Sequence, residues 1–132
     1  MITNFMSDGV KHEASIDAAE HNALQWGIKS FNYIAGDANR LMNKHLRGKG
    51  DSTILIIDPP RKGCGEKTIE AISKHKPSWV LYVSCDPATL ARDLKGICGE
   101  SNYKVNKLAL LDMFPQTSHF ETMVLLERSS DV

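Results

Sequence analysis

Short apolar or alternating runs are separated along this chain by stretches in which apolar residues recur every three or four positions. The short runs predict strands, and the longer stretches predict helices. Strands are expected at Phe31–Ala35, Thr53–Ile57, Trp79–Val83, Lys104–Leu111 and Thr122–Glu127. Helices are expected from Ser15 to Gly27 and at Ala38–Leu46, Glu66–Lys74 and Pro87–Ile97. The segment Ile2–Met6 fits either a short strand or the ragged edge of a longer element.

The order of these elements predicts an α/β fold. Strands that alternate with helices are joined by crossovers and form a mostly parallel sheet. Two successive strands at the C-terminal end predict a hairpin that adds an antiparallel strand to this sheet. The continuous aliphatic run Thr53–Ile57 is typical of a strand that is covered on both faces. Because no internal repeat or interdomain linker is visible, one domain accounts for residues 1–132.

Composition limits the partners and the compartment. The chain has 132 residues, and its 16 Lys and Arg residues balance 16 Asp and Glu residues, so its net charge does not support nucleic-acid binding. Three cysteines without a close pair argue against a disulfide framework and a metal site, and they favour a reducing compartment. No apolar run approaches the roughly 20 residues that span a bilayer, and no secretory signal is visible. We therefore expect a cytoplasmic protein that uses no metal and no membrane.

Candidate binding residues follow the expected strands, because ligands of open α/β sheets bind at the carboxyl ends of the strands. Asp37 is either a ligand contact or merely the N-cap of the next helix. Asp58 closes a strand that is expected to be buried, where an unpaired charge is costly, and this favours a function. Cys85 precedes a helix start at Asp86 and Pro87, where orphan N–H groups and the helix dipole favour a thiolate. It is either a nucleophile or a small buried residue on a turn.

Three segments resemble the C-terminal half of the RNA uracil-5-methyltransferases, a family that forms 5-methyluridine in transfer or ribosomal RNA. They are Ile57–Gly63 (I-D-P-P-R-K-G), Tyr82–Asp93 (Y-V-S-C-D-P-A-T-L-A-R-D) and Asp112–Glu121 (D-M-F-P-Q-T-S-H-F-E). The resemblance extends from about Gly9 to Arg128. It implies the Rossmann-like sheet of class I methyltransferases, S-adenosyl-L-methionine as the cofactor and RNA as the substrate. The third segment is more similar to the ribosomal-RNA branch than to the transfer-RNA branch.

The same resemblance implies roles for individual residues. Cys85 matches the nucleophile that adds to carbon 6 of the uracil ring, and Glu121 matches the general base that removes the proton from carbon 5. Without the resemblance, Glu121 is an unexpected carboxylate at the start of an apolar strand, or an edge residue that faces solvent. Asp58 matches an acid that binds the cofactor, and Asp37 aligns with the position beside the adenine. Further candidate contacts without an assigned role are Arg61, Thr117 and His119.

The chain also departs from the pattern of this family. It begins after the region in which relatives carry the first strand and the glycine-rich cofactor loop. We therefore expect a partial domain with an open sheet edge, and self-association through that edge. Relatives usually place an acid after Gly-Val at the end of the next strand, to bind the ribose hydroxyls. Here Lys11 follows Gly9 and Val10, and a lysine supplies only donors. Glu13 lies two residues later.

Two other interpretations remain open. The first is a truncated methyltransferase fragment without catalytic activity. The second is a different nucleic-acid methyltransferase, since DNA cytosine-5 enzymes also form a cysteine adduct. Enzymes that methylate amino groups carry an aromatic residue after Asp-Pro-Pro, and Arg61 in that position argues against them.

Overall fold

The computed structural model describes residues 2–4, 13–100 and 102–129 and contains the expected alternation of helices and strands. The strands are β1 (Ile2–Asn4), β2 (Phe31–Tyr33), β3 (Ile54–Ile57), β4 (Trp79–Ser84), β5 (Tyr103–Leu111) and β6 (Glu121–Arg128). The helices are α1 (Glu13–Gln25), α2 (Ala38–Leu46), α3 (Glu66–His75) and α4 (Pro87–Glu100), with a short 3-10 helix at Gly50–Ser52. The α/β class and the order of the elements are confirmed.

The described strands form two sheets. In the larger sheet, β3, β4, β6 and β5 are hydrogen-bonded in that order, and β1 and β2 form a separate parallel pair. β3 is parallel to β4, whereas β6 is antiparallel to both β4 and β5. The last two strands therefore form the predicted hairpin, and its second strand lies in the interior of the sheet. This strand brings the C-terminal end of the chain beside β4.

One face of the four-stranded sheet belongs to the hydrophobic core. Alternate residues of β3, β4 and β6 are buried, because successive side chains of a strand point to opposite faces. They form one cluster with residues of α2, α3 and α4, among which Met42, Ile72 and Ile97 are almost completely buried. The strand residues of this cluster are Leu55, Ile57, Val80, Tyr82, Tyr103, Val124 and Leu126. Burial of one such aliphatic side chain stabilises the fold by about 1.5–3 kcal/mol.

The opposite face of β3 is exposed, so the expectation that this strand is covered on both faces is wrong. Ile54 is 67% exposed and Ile56 is 55% exposed. No element in the described part of the chain buries these side chains. An aliphatic run shows that both faces of a strand are apolar, but only a second packed element can cover a face. β3 is also the end strand of its sheet, with β4 as its one partner among the described strands.

The strand alternative for Ile2–Met6 is confirmed by β1 at Ile2–Asn4, and the expectation about the cofactor acid near Lys11 remains a prediction. Gly9, Val10 and Lys11, where the family pattern calls for an acid, lie outside the described residues.

Candidate active site

The end of β4 and the start of β6 lie at the same edge of the sheet, because the two strands are antiparallel. Ser84 and Thr122 form the last pair of this ladder. Cys85 follows Ser84, and Glu121 precedes Thr122, so the two expected catalytic residues lie at the same end of this ladder although they are distant in sequence. β3 runs parallel to β4, and therefore Asp58 leaves the sheet at this same edge. The structure brings these three predicted site residues to one side of the sheet.

A network of local hydrogen bonds shapes the turn at Cys85. The Ser84 hydroxyl donates to the carbonyl of Asp86 at 2.9 Å and accepts from its N–H at 3.1 Å. The Asp86 carboxylate accepts from the N–H of Thr89 at 2.9 Å, and this bond holds the pKa of Asp86 below its usual value. Asp86 is thus the N-cap of α4, as its residue type predicts. Cys85 is a free, half-buried cysteine immediately before this cap.

Glu121 is the first residue of β6 and is half-buried. It pairs with Leu111, the last residue of β5. The loop between these strands is exposed, and it holds two of the unassigned candidates. The Thr117 hydroxyl donates to the carbonyl of Phe114 at 2.7 Å and accepts from the N–H of His119 at 3.2 Å. Thr117 therefore stabilises the turn of its own loop.

Asp58 is exposed, so the argument from a costly buried charge does not apply to it. The prolines that follow turn the chain away from β3, and Asp58 lines a cavity of about 490 Å³. Asp58 has no hydrogen-bond or ion-pair partner among the described residues. Arg61, the other candidate in this loop, is exposed as well. An available carboxylate beside a cavity suits a ligand-binding role.

Asp37 is the N-cap of α2. Its carboxylate accepts from the N–H of Asn39 at 2.9 Å and lies 3.9 Å from the Arg40 guanidinium. The capping interpretation is therefore confirmed, and a ligand contact stays a prediction. The next residue, Ala38, lines the same cavity as Asp58. The start of α2 and the end of β3 thus line the same cavity.

Asp93 is a polar residue of this region to which the sequence analysis assigned no role. It lies on α4, its side chain is fully buried, and its carboxylate lines the cavity. It accepts a hydrogen bond from the Tyr82 hydroxyl at 2.6 Å and another from the N–H of Cys64 at 2.6 Å. Asp93 lies three residues after Leu90 and four before Ile97, which places it on the buried face of the helix. This spacing in the sequence could have predicted its burial.

Burial also affects the two groups that surround this carboxylate. It raises the pKa of the Cys64 thiol to about 11, with a smaller contribution from the nearby charge of Asp93. It raises the pKa of Tyr82 as well, and the hydrogen bond to Asp93 adds to this effect. Both groups therefore stay protonated at neutral pH, and Tyr82 acts as a donor to the carboxylate.

Two features are absent from the described part of the chain. None of its helices is long and apolar enough to cross a membrane. Its His, Cys, Asp and Glu side chains form no group of three or more that could hold a metal ion.

Sequence comparisons identify relatives of the chain. The sequence profile described as tRNA (Uracil-5-)-methyltransferase matches residues 31–129. An uncharacterized RNA methyltransferase of Clostridium acetobutylicum is 42% identical over 114 residues, which cover 86% of this chain and 25% of that protein. The 23S rRNA (uracil(1939)-C(5))-methyltransferase RlmD of a Marinomonas species is 40% identical over 116 residues, which cover 88% of this chain and 26% of that protein. The chain thus spans about a quarter of the length of these relatives.

Solved structures share the fold. The tRNA (uracil-54, C5)-methyltransferase of Pyrococcus abyssi, in complex with S-adenosyl-L-homocysteine, superposes with a TM-score of 0.76 at 27% identity, over 94% of this chain and 28% of that one. An rRNA methylase of Streptococcus thermophilus superposes with a TM-score of 0.65 at 14% identity, over 97% of this chain and 73% of that one. The expected methyltransferase fold is confirmed. Because the profile covers most of the chain, the chain belongs to the tRNA (uracil-5-)-methyltransferase family.

Proposed function

We propose that residues 1–132 form a single, partial catalytic domain of an S-adenosyl-L-methionine-dependent RNA uracil-5-methyltransferase, with Cys85 as nucleophile and Glu121 as general base. The observation that carries this proposal is the Ser84–Thr122 pair, because Cys85 follows one member and Glu121 precedes the other at the expected ligand-binding edge. The Cα atoms of paired antiparallel residues lie about 4.5–5.5 Å apart. We infer that Cys85 and Glu121, one residue beyond this pair on each side, act on adjacent atoms of one ring.

Cys85 has the task of activating the uracil ring. Carbon 5 of uracil is a weak nucleophile, and covalent addition to carbon 6 makes it a strong one. The thiolate sulfur forms a bond to carbon 6, and the electron pair of the carbon 5–carbon 6 double bond moves towards carbon 5 and the neighbouring carbonyl. S-adenosyl-L-methionine, when bound, supplies the methyl group as an electrophile. Cys85 lies on the turn between β4 and the start of α4, at the edge where ligands of such sheets bind.

Glu121 has the task of restoring the ring. After methylation, carbon 5 carries both the new methyl group and its original proton. The Glu121 carboxylate takes this proton, the electron pair re-forms the double bond, and the bond between sulfur and carbon 6 breaks. The products are 5-methyluridine and free Cys85 thiolate. A half-buried carboxylate at the start of β6 can serve as such a base.

The described residues fit a part of a cofactor site. The cavity of about 490 Å³ lies within the size range of small-molecule pockets. Its lining offers apolar surface from Ala38, Met42 and Ile57 for a flat aromatic base, and polar atoms from Asn39 and Asp58 for amino and hydroxyl groups. We assign the methyl donor to this cavity, with Asp58 and Asp37 as its acidic contacts.

We propose ribosomal RNA, rather than transfer RNA, as the substrate. The similarity to RlmD and the segment Asp112–Glu121 support this choice. The target uridine must leave any stacked context to reach Cys85. The formal net charge of zero indicates that this chain alone contributes little to RNA affinity. The relatives have about three quarters of their length outside the matched region, so RNA contacts in those parts are consistent with the proposal.

Trapping on RNA that contains 5-fluorouridine tests the proposal. Fluorine at carbon 5 cannot leave as a proton does, so the adduct persists after methyl transfer and migrates as a protein–RNA complex on a denaturing gel. We expect such a complex with the wild-type chain and S-adenosyl-L-methionine, and none with Cys85→Ala. A complex with 5-fluorocytosine DNA instead of the RNA would reassign the chain to another methyltransferase class. Failure to trap either substrate, together with no cofactor binding in calorimetry, would identify an inactive fragment.

A further inference from the structure

Three side chains on one face of α4 contact the backbone of the loop that follows β3. The Thr89 hydroxyl donates to the carbonyl of Arg61 at 2.9 Å, and the Arg92 guanidinium donates to the carbonyl of Lys62 at 2.7 Å. The Asp93 carboxylate accepts from the N–H of Cys64 at 2.6 Å. Positions spaced by three and four residues share one face of a helix, so a single helix face reaches the whole loop. We call Thr89, Arg92 and Asp93 the α4 clamp.

Asp93 is the centre of this clamp. One carboxylate oxygen accepts from Tyr82 and from the N–H of Cys64, and the other accepts two hydrogen bonds from the Arg92 guanidinium at 2.9 and 2.7 Å. A buried carboxylate is costly unless it is paired and hydrogen-bonded, and these four bonds compensate that cost. They join β4, α4 and the loop after β3 at one buried point.

The loop is closely fitted to this carboxylate. Gly63 has a φ of +80° and donates its N–H to the carbonyl of Pro60 at 2.8 Å, which closes the turn. A Cβ atom at Gly63 would collide with the Asp93 carboxylate. Glycine is therefore required here both for the backbone conformation and for the close approach. The side chains of Arg61 and Lys62 are exposed, so in this part of the loop the contacts with the core side of the molecule are the backbone hydrogen bonds to the clamp.

The clamp connects the loop that carries the proposed cofactor contact Asp58 with the helix that follows the proposed nucleophile Cys85. The loop begins at Asp58, which we assign to the cofactor, and α4 begins two residues after Cys85. Tyr82 lies on β4 three residues before Cys85. A shift of the loop relative to α4 would change the separation of Asp58 and Cys85, and a misplacement of about 1 Å is enough to reduce catalytic rates about a hundredfold.

We propose that Thr89, Arg92 and Asp93 are positioning residues, which hold the loop that follows β3 at a fixed distance from the turn that carries Cys85. The inference rests on the proposed function for the roles of Asp58 and Cys85. It adds that the buried Asp93 sets the geometry between methyl donor and nucleophile without itself contacting a reacting atom.

The decisive comparison is between Tyr82→Phe and Tyr103→Phe in the full chain. Each variant removes one buried phenol donor: Tyr82 donates to Asp93, and Tyr103 donates to the carbonyl of Pro77, which is remote from the loop. Both should lose stability, Tyr82→Phe the more, because its hydroxyl donates to a charged group. We expect only Tyr82→Phe to accelerate hydrogen exchange at the Cys64 amide, by about tenfold, the equivalent of about 1.4 kcal/mol. Asp93→Asn, which keeps the shape of the side chain, should show a larger effect at the same amide.

Function is measured on the same variants. With Tyr82→Phe we expect a weaker Kd for S-adenosyl-L-methionine and a kcat about tenfold lower, with the KM for RNA unchanged, and we expect Tyr103→Phe to match the wild-type chain. If the Cys64 amide exchanges equally fast in the two tyrosine variants, the proposal that the α4 clamp holds this loop is wrong. Faster exchange with unchanged Kd and kcat would overturn its positioning role. A wild-type chain that binds cofactor but transfers no methyl group would overturn the proposed function, and the exchange comparison would still decide whether the clamp exists.

Discussion

Ser84 of β4 and Thr122 of β6 are directly paired, and both are buried. This pair ends the ladder between the two strands, so the residue after Ser84 and the residue before Thr122 both lie at this edge of the sheet. These residues are Cys85 and Glu121. The insertion of β6 between β4 and β5 is what brings them together, because it places the C-terminal strand beside the strand that ends in the cysteine turn.

Glu121→Gln should stop the proposed reaction after covalent addition. Glutamine has nearly the same shape but cannot take the proton from carbon 5, so the bond between Cys85 and carbon 6 should persist. We expect a covalent complex with ordinary uridine-containing RNA on a denaturing gel, and release of product that is slower by about 10²–10⁴-fold.

The double variant Cys85→Ala/Glu121→Gln serves as the control and should form no complex. Glu127→Gln, on the same strand, should behave as the wild-type chain does. Product release at the wild-type rate by Glu121→Gln would show that another group is the base.

Asp58→Asn and Asp37→Asn should weaken the binding of S-adenosyl-L-methionine. A hydrogen bond to a charged group contributes about 1.5–3 kcal/mol, so the loss of one contact should raise Kd by roughly 10- to 100-fold. Asparagine is as good an N-cap as aspartate, and the change at Asp37 therefore leaves the cap of α2 in place. Isothermal titration calorimetry measures Kd, with the exposed Asp17→Asn as the matched control. An unchanged Kd in Asp58→Asn would remove that residue from the cofactor site.

Cys64 should resist alkylation at neutral pH. Burial raises the pKa of its thiol from 9.0 to about 11, and only the thiolate reacts. We expect iodoacetamide to label Cys64 at pH 8 far more slowly than it labels a cysteine peptide, with the rate rising towards pH 11. Peptide mass spectrometry measures this rate, and labelling as fast as the peptide would contradict the burial.

The same pKa shift should make the contribution of Cys64 to stability depend on pH. A thiol whose pKa is raised in the folded state stabilises it below the unfolded value, and this contribution is lost as pH rises through the folded value. The difference in unfolding free energy between wild type and Cys64→Ala should therefore shrink between about pH 9 and 11, by at most about 3 kcal/mol. Denaturant unfolding at each pH measures it, and a constant difference would count against the shift.

The open edge of β3 should promote self-association. Its outer backbone edge has no partner among the described strands, and Ile54 and Ile56 are exposed beside it. Unpaired strand edges with apolar side chains tend to pair with other chains, and a lysine on such an edge prevents this. In light scattering we expect a mean mass that rises with concentration, and a smaller rise for Ile56→Lys than for the control Leu24→Lys, at another exposed aliphatic position. A mass that stays monomeric at all concentrations would exclude this association.

Local pattern was enough for the elements and for part of the site. The expected helix Ala38–Leu46 agrees with α2 at both ends, and the expected strand Trp79–Val83 agrees with β4 to within one residue. The N-cap and proline after Cys85 correctly indicated where α4 begins. These features depend on the backbone preferences of a few neighbouring residues, and those preferences follow directly from the residue types.

Only the tertiary structure decided which strand faces are covered by another element and which distant segments are in contact. The apolar run of β3 did not reveal that Ile54 and Ile56 lie on an uncovered face, and Asp58 proved exposed although its strand is half in the core. The helical spacing of Asp93 indicated a buried position, but it could not identify the hydrogen-bond partners Tyr82 and Cys64, which are distant in sequence. The burial of a side chain depends on which other element packs against it. The sequence therefore determined the elements and the residue types at their ends, and the packing of those elements decided which of these residues meet.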